Sequence, residues 1–174
     1  MQDFKKYIRD VPDFPKQGIV FRDITTLLRD KDAFRHVVDA FYDAYRGSGV
    51  DLVVGVEARG FLLASVLAYK LGVGVIPVRK PGKLPAETLR MEYDLEYGTD
   101  ALEIHRDAIT EGQKVIVIDD LLATGGTVAA TCKMVKQLGA EIIGVAFLIE
   151  LDFLNGREKL SDYELLSLIH YQSE

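Results

Sequence analysis

The sequence predicts an α/β fold with a mainly parallel central sheet covered by helices on both faces. Two observations carry this expectation. Four short runs rich in Val and Ile, "DLVVGV", "GVIPV", "KVIVID" and "EIIGVAFLIE", read as strands buried on both faces, without the polar alternation of a half-exposed sheet. Amphipathic stretches of helical length, "GFLLASVLAYKLG" and "TVAATCKMVKQLG", separate the first run from the second and the third from the fourth, as βαβ crossovers require.

Taken in order, the pattern begins at Asp32. Phe34, Val37, Val38, Phe41 and Tyr45 recur at helical spacing, with Asp30 or Asp32 as N-cap and Gly47 or Gly49 as the stop. The first strand follows at 51–56, and the next helix ends at Gly72 before the "GVIPV" strand. Residues 80–110 then break the rhythm. Two alternating stretches flank Gly98-Thr99-Asp100, so this segment reads as a hairpin or flap turning at those residues. The third strand ends at Asp119, and "LLSLI" near the C-terminus reads as a late edge strand.

With 174 residues, 48% of them hydrophobic, the chain is expected to form a single domain, 1–174, with an ample core. A net charge of −6 argues against nucleic-acid binding, because phosphates would have to be met by local cations or backbone N–H groups. The lone Cys132 lies in a helical pattern and reads as a small buried hydrophobe. No secretory pattern opens the chain and no apolar run approaches ~18 residues, so a soluble, cytoplasmic protein without membrane contact is expected.

The segment "KVIVIDDLLATGGTVAATCKMVKQLG" carries the chemistry. Ligands of open α/β sheets sit at the carboxyl ends of strands, where Asp119 and Asp120 fall. Gly125 and Gly126 admit close backbone approach, the helix start at Thr127 offers N–H groups to an anion, and Thr124 and Thr127 add hydroxyls. A phosphate cradle alone would not place two acids alongside. The pair makes sense for a ligand with a phosphate at one end and a ribose diol a few ångströms away. Neither a Gly-Lys-Ser/Thr P-loop nor G-x-G-x-x-G is present. A second anion site is read at "GVEARGFLLAS", where Arg59 and Gly60 stand between a strand end and a helix start.

The stretch "VIVIDDLLATGGT" resembles the 5-phosphoribosyl-1-pyrophosphate (PRPP) signature of type I phosphoribosyltransferases, whose fold matches the one predicted. The resemblance implies that Ala123, Thr124, Gly125, Gly126 and Thr127 grip the 5-phosphate and that Asp119 and Asp120 face the ribose hydroxyls. It assigns the pyrophosphate to Arg59, with Lys80, Lys83 and Arg79 of "VRKPGKLP" nearby.

"VPDFPKQGIVFRDITTLL" and "YDLEYGTDALEIHRDAI" further resemble the hood (about 1–30) and flap (about 80–110) of adenine phosphoribosyltransferases, a likeness running from about Val11 to about Leu160. It implies that Phe21 stacks on the purine, that the backbone of Val20 and Arg22 reads its edge, and that Leu121 forms a lower wall. It nominates Glu96 of "LEYG" as the acid/base group, with Tyr97 beside it. The expected reaction is adenine plus PRPP giving AMP and pyrophosphate, with Mg²⁺ held mainly through PRPP and water and no protein ligand named. A homodimer is implied by resemblance alone. The rival readings are a phosphoribosyltransferase for hypoxanthine, guanine or xanthine, and a PRPP-sensing regulatory module. The hood words oppose the first; charge and length oppose the second.

Overall fold

The computed structural model describes residues 3–95 and 98–173, Asp94 and Leu95 by backbone only. In chain order it forms β1 (Arg9–Val11), β2 (Phe21–Asp23), α1 (Thr25–Arg29), α2 (Lys31–Tyr45), β3 (Leu52–Val56) and α3 (Gly60–Leu71). There follow β4 (Gly74–Val78), β5 (Thr88–Leu95), β6 (Gly98–His105), β7 (Lys114–Leu122), α4 (Gly126–Gln137), β8 (Glu141–Leu151) and β9 (Leu165–Tyr171).

The sheet is five-stranded and parallel, in the order β4-β3-β7-β8-β9. Side chains alternate between two cores. Along β7, Ile116 and Ile118 join Val53, Ala146 and the buried sides of α2 and α3, whereas Val115 and Val117 join Val54, Phe147 and α4 on the opposite face. Both faces are covered, so each central strand reads as a continuous apolar run. The predicted α/β architecture, including the late edge strand β9, is the observed one.

Local caps follow from residue chemistry. Asp30, not Asp32, caps α2, accepting from the Asp32 and Ala33 N–H groups at 3.0 and 2.9 Å. Cys132 is fully buried, and burial pushes its thiol up to about 12.

Three features depart from expectation. β7 continues past Asp119 to Leu122, because the longer β8 goes on pairing with it through Leu122↔Glu150. Gly98, Thr99 and Asp100 belong to strand β6, since β5 and β6 stay in register down to Leu95↔Gly98. The N-terminal segment also holds a small antiparallel pair, β1–β2, of three residues a side. An ion pair between Arg9 and Asp23 joins its strands, and Asp23 accepts from the Thr25 N–H at 2.8 Å to start α1. Thr25 and Arg9 together hold the Asp23 carboxyl at about 2.

Candidate active site

β7 outruns β3. Their pairing stops at Gly55↔Ile118, so the last residues of β7 have β8 on one side and an open flank on the other. A cavity of about 440 Å³ occupies that flank, bringing together Arg59, Lys80, Asp119, Asp120, Leu121, Ala123 and Thr127. These residues come from the β3–α3 loop, the segment after β4, and the end of β7 with the start of α4, all at the carboxyl end of the sheet, where a parallel sheet presents ligands.

Asp120 is only 5% exposed and follows Ile116 and Ile118 on the strand face that meets α3. Its Oδ2 lies 2.6 Å from Nε of Arg59, the residue immediately before α3. Asp119 Oδ1 accepts from the Asp120 N–H at 2.9 Å. Burial raises the Asp119 carboxyl well above the usual carboxylate range, and the Asp120 charge beside it adds to the rise. Burial raises Asp120 too, with the Arg59 guanidinium working against it. Two crowded acids beside one cation suit a partner that supplies hydroxyl donors or positive charge.

The turn after β7 leads straight into α4. Gly125 caps the helix at φ +78°, a left-handed conformation that glycine adopts without steric cost, and Gly126 begins the helix. The helix N-terminus and the Thr127 hydroxyl therefore stand beside the acids, an arrangement able to hold an anion next to a diol.

The expected pyrophosphate cations have acidic partners. Glu57, at the end of β3, accepts from Arg79 Nε at 2.9 Å and Lys83 Nζ at 2.8 Å. Burial disfavours its charge, but these hydrogen bonds outweigh that and lower its pKa. The Glu57–Ala58 peptide is cis. Lys80 pairs with Asp100 and donates to the Tyr93 hydroxyl at 3.1 Å; burial works against its charge, yet these partners raise its pKa. Tyr93 OH also lies 3.4 Å from Thr127 Oγ1, so the β5–β6 hairpin touches the glycine turn. Backbone bonds between Arg79 and Glu103, at 2.9 and 2.7 Å, tie the hairpin to the end of β4.

At the N-terminal segment, Phe21 meets the site through Arg59, whose guanidinium lies 4.9 Å from the Phe21 ring centroid. Phe14 packs edge-on against the same ring at 5.1 Å. The Arg22 side chain turns away, pairing with Asp10 at 2.6 Å and lying over Tyr171, which leaves only its backbone to face a ligand. Among the described residues β2 pairs with β1 alone, so alternate backbone groups on its other edge have no strand partner there. Val20 immediately precedes β2. Glu96 and Tyr97 lie outside the described residues.

The family profile of the phosphoribosyl transferase domain matches residues 23–171. The chain belongs to this phosphoribosyltransferase family. It is 58% identical over 170 residues to the adenine phosphoribosyltransferase of Acidobacterium capsulatum, covering 98% of this chain and 94% of that one. The solved structure of the Thermoanaerobacter pseudethanolicus adenine phosphoribosyltransferase superposes with a TM-score of 0.94 at 56% identity, covering 97% of this chain and 98% of that one. The Saccharomyces cerevisiae adenine phosphoribosyltransferase, solved with adenine and an imino-altritol bisphosphate, gives 0.91 at 43% identity over 96% of this chain and 97% of that one.

Around this cavity, sequence reading passed over Glu57, Tyr93 and Asp100. Glu57 stands two residues before Arg59 at a strand end, a detectable signal. The hairpin residues acquire their role only through tertiary contacts with Lys80 and Thr127.

Proposed function

We propose that the chain transfers the 5-phosphoribosyl group of PRPP to adenine, forming AMP and releasing pyrophosphate. The observation that carries this reading is the open flank of β7, where paired acids stand beside a glycine turn and an arginine that meets an aromatic ring. In this reading residues 123–127 hold the 5-phosphate, and Asp119 and Asp120 accept from the ribose hydroxyls. Arg59 turns from Asp120 to the pyrophosphate, with Lys80, Lys83 and Arg79 at its rim. Phe21 and Leu121 sandwich the purine, whose edge is read by the backbone of Val20 and Arg22. Residues about 1–30 act as hood and about 80–110 as flap of one domain.

The glycosidic bond forms between an adenine ring nitrogen and C1 of the ribose as the C1–oxygen bond to pyrophosphate breaks. Positive charge builds on the sugar and negative charge on the leaving group, so Asp119 and Asp120 would face the sugar while Arg59, released from Asp120, would face the pyrophosphate. Glu96 takes the imidazole proton of adenine or holds it on the neighbouring ring nitrogen. Flap closure excludes water that would hydrolyse the donor. Adjacent hard carboxylates fit the neighbourhood of Mg²⁺, which would be held mainly through PRPP and water beside Asp119 and Asp120. The ion would supply charge neutralisation to the pyrophosphate oxygens.

Among the described residues no helix is long and apolar enough to cross a membrane; a cytoplasmic location is part of the proposal. So is a homodimer, for which Leu62 and Tyr69 on α3 and Val75 on the edge strand β4 are exposed apolar side chains available to a partner. The test of the activity is to supply adenine, PRPP and Mg²⁺ and follow AMP and pyrophosphate in equal amounts. Failure to form AMP would refute the reading.

A further inference from the structure

The glycine turn rests on a part of the chain far along the sequence. After β8, the chain passes Asn155, in a left-handed conformation at φ +52°, and enters a 3₁₀ turn, Gly156–Leu160. Gly156 is packed directly on the glycine turn. A Cβ on Gly125 would come 2.5 Å from the Gly156 carbonyl oxygen. A Cβ on Gly156 would overlap the Ala123 carbonyl oxygen and come 3.0 Å from the Gly125 nitrogen. Gly156 does not have a positive φ, so space, not torsion, demands glycine there. The neighbours of such a Cβ are backbone atoms of the turn itself, which must move to admit it.

The 3₁₀ turn is anchored at both ends. Leu160 is fully buried among side chains of the α4 face of the sheet. Arg157 donates through Nε and Nη2 to the two oxygens of Glu150, at 2.9 and 2.7 Å, and Glu150 is 4% exposed. Glu150 is also the register partner of Leu122, the residue immediately before Ala123. Glu150 thus links the strand that enters the glycine turn, through backbone pairing, to the segment that supports the turn from outside, through its buried carboxylate. On the far side of Glu150, Asp152 engages His170 Nδ1 at 2.9 Å. Burial opposes the charge of Glu150, and the Arg157 hydrogen bonds outweigh that opposition.

We infer that Gly156, set in place by the Arg157–Glu150 fork, is a positioning residue that holds residues 123–127 in the shape that receives the 5-phosphate. This rests on the reading that the turn binds that phosphate. Positioning of this kind acts on one end of the substrate. It concerns PRPP and AMP, which share the 5-phosphate, and not adenine or pyrophosphate, which lack it.

The experiment measures all four Michaelis constants, using the forward and the reverse reaction, in Gly156→Ala, Arg157→Lys and Thr127→Ala. Gly156→Ala is expected to raise KM for PRPP and for AMP about 10-fold or more, since sub-ångström to ångström displacement of positioning groups has effects of that size. KM for adenine and for pyrophosphate should stay within about twofold, and kcat within about threefold. Arg157→Lys, which keeps the charge and loses the fork, should give the same pattern more weakly. Constants for all four substrates moving together, or none moving, would overturn the inference. Should Gly156→Ala fail to fold, Arg157→Lys decides: unchanged constants for PRPP and AMP overturn it. Thr127→Ala tests the underlying reading separately. A raised PRPP KM in Thr127→Ala with no change in Gly156→Ala refutes the positioning role alone, whereas an unchanged PRPP KM in Thr127→Ala refutes the phosphate assignment itself.

Discussion

Truncating Phe21 asks whether the N-terminal segment recognises the base or merely packs. The ring lies beneath the Arg59 guanidinium at 4.9 Å and takes Phe14 edge-on at 5.1 Å. A cation over a partly exposed ring is worth ~0.5–1 kcal/mol, whereas a base stacked on an aromatic side chain is worth ~1–3 kcal/mol. If adenine replaces the guanidinium over that ring, Phe21→Ala loses the larger interaction in the complex and the smaller one in the free protein. The difference is roughly 0.5–2 kcal/mol, about a 2- to 30-fold weaker Kd for adenine or AMP. PRPP affinity should change by less than about threefold, because Arg59 remains free to engage pyrophosphate. Titration calorimetry with adenine, AMP and PRPP, alongside thermal unfolding, separates the possibilities. Unchanged adenine affinity with a lowered Tm would refute the reasoning and make Phe21 a packing residue.

Asp119→Asn should weaken PRPP binding about 10-fold or more, the loss expected when hydrogen bonds to a charged acceptor are removed. It should also raise stability measured without PRPP at neutral pH. The folded chain holds the Asp119 proton more tightly than the unfolded chain does, so raising the pH from the ordinary carboxylate value through the raised one favours unfolding, and Asn abolishes that slope. Chemical denaturation across pH, with and without PRPP, checks both statements, and a less stable Asn variant would contradict the second. Glu96→Gln should slow the chemical step by about two orders of magnitude while leaving PRPP affinity little changed, since Gln cannot accept the proton. Rapid-quench measurement is the proper readout, because product release can mask the loss in steady-state turnover.

The strands and main helices were legible because β3, β7 and β8 are buried on both faces and spell that burial as Val and Ile. The end of β7 was not, because "DDLL" has no strand signature of its own and is held extended by pairing with β8. β1 and β2 are too short for a period to emerge. At the site, the acids and glycine turn could be read because strand, turn and helix are contiguous in sequence. The partners of the cations could not: Glu57 meets Lys83 across 26 residues, and Lys80 meets Asp100 across 20. Gly156 sits in "NGREKL", which signals a turn but says nothing of the glycine turn it touches.

The measurement that bears most directly on the central claim is the ratio of kcat/KM for adenine to that for hypoxanthine, each with saturating PRPP and Mg²⁺. Adenine offers an amino donor and a ring-nitrogen acceptor where hypoxanthine offers an oxo acceptor and an N–H donor, so a backbone-read edge leaves buried groups unpaired with the wrong base. A ratio of at least ~10³ is predicted. Comparable values for the two bases, or a preference for hypoxanthine, would contradict the account.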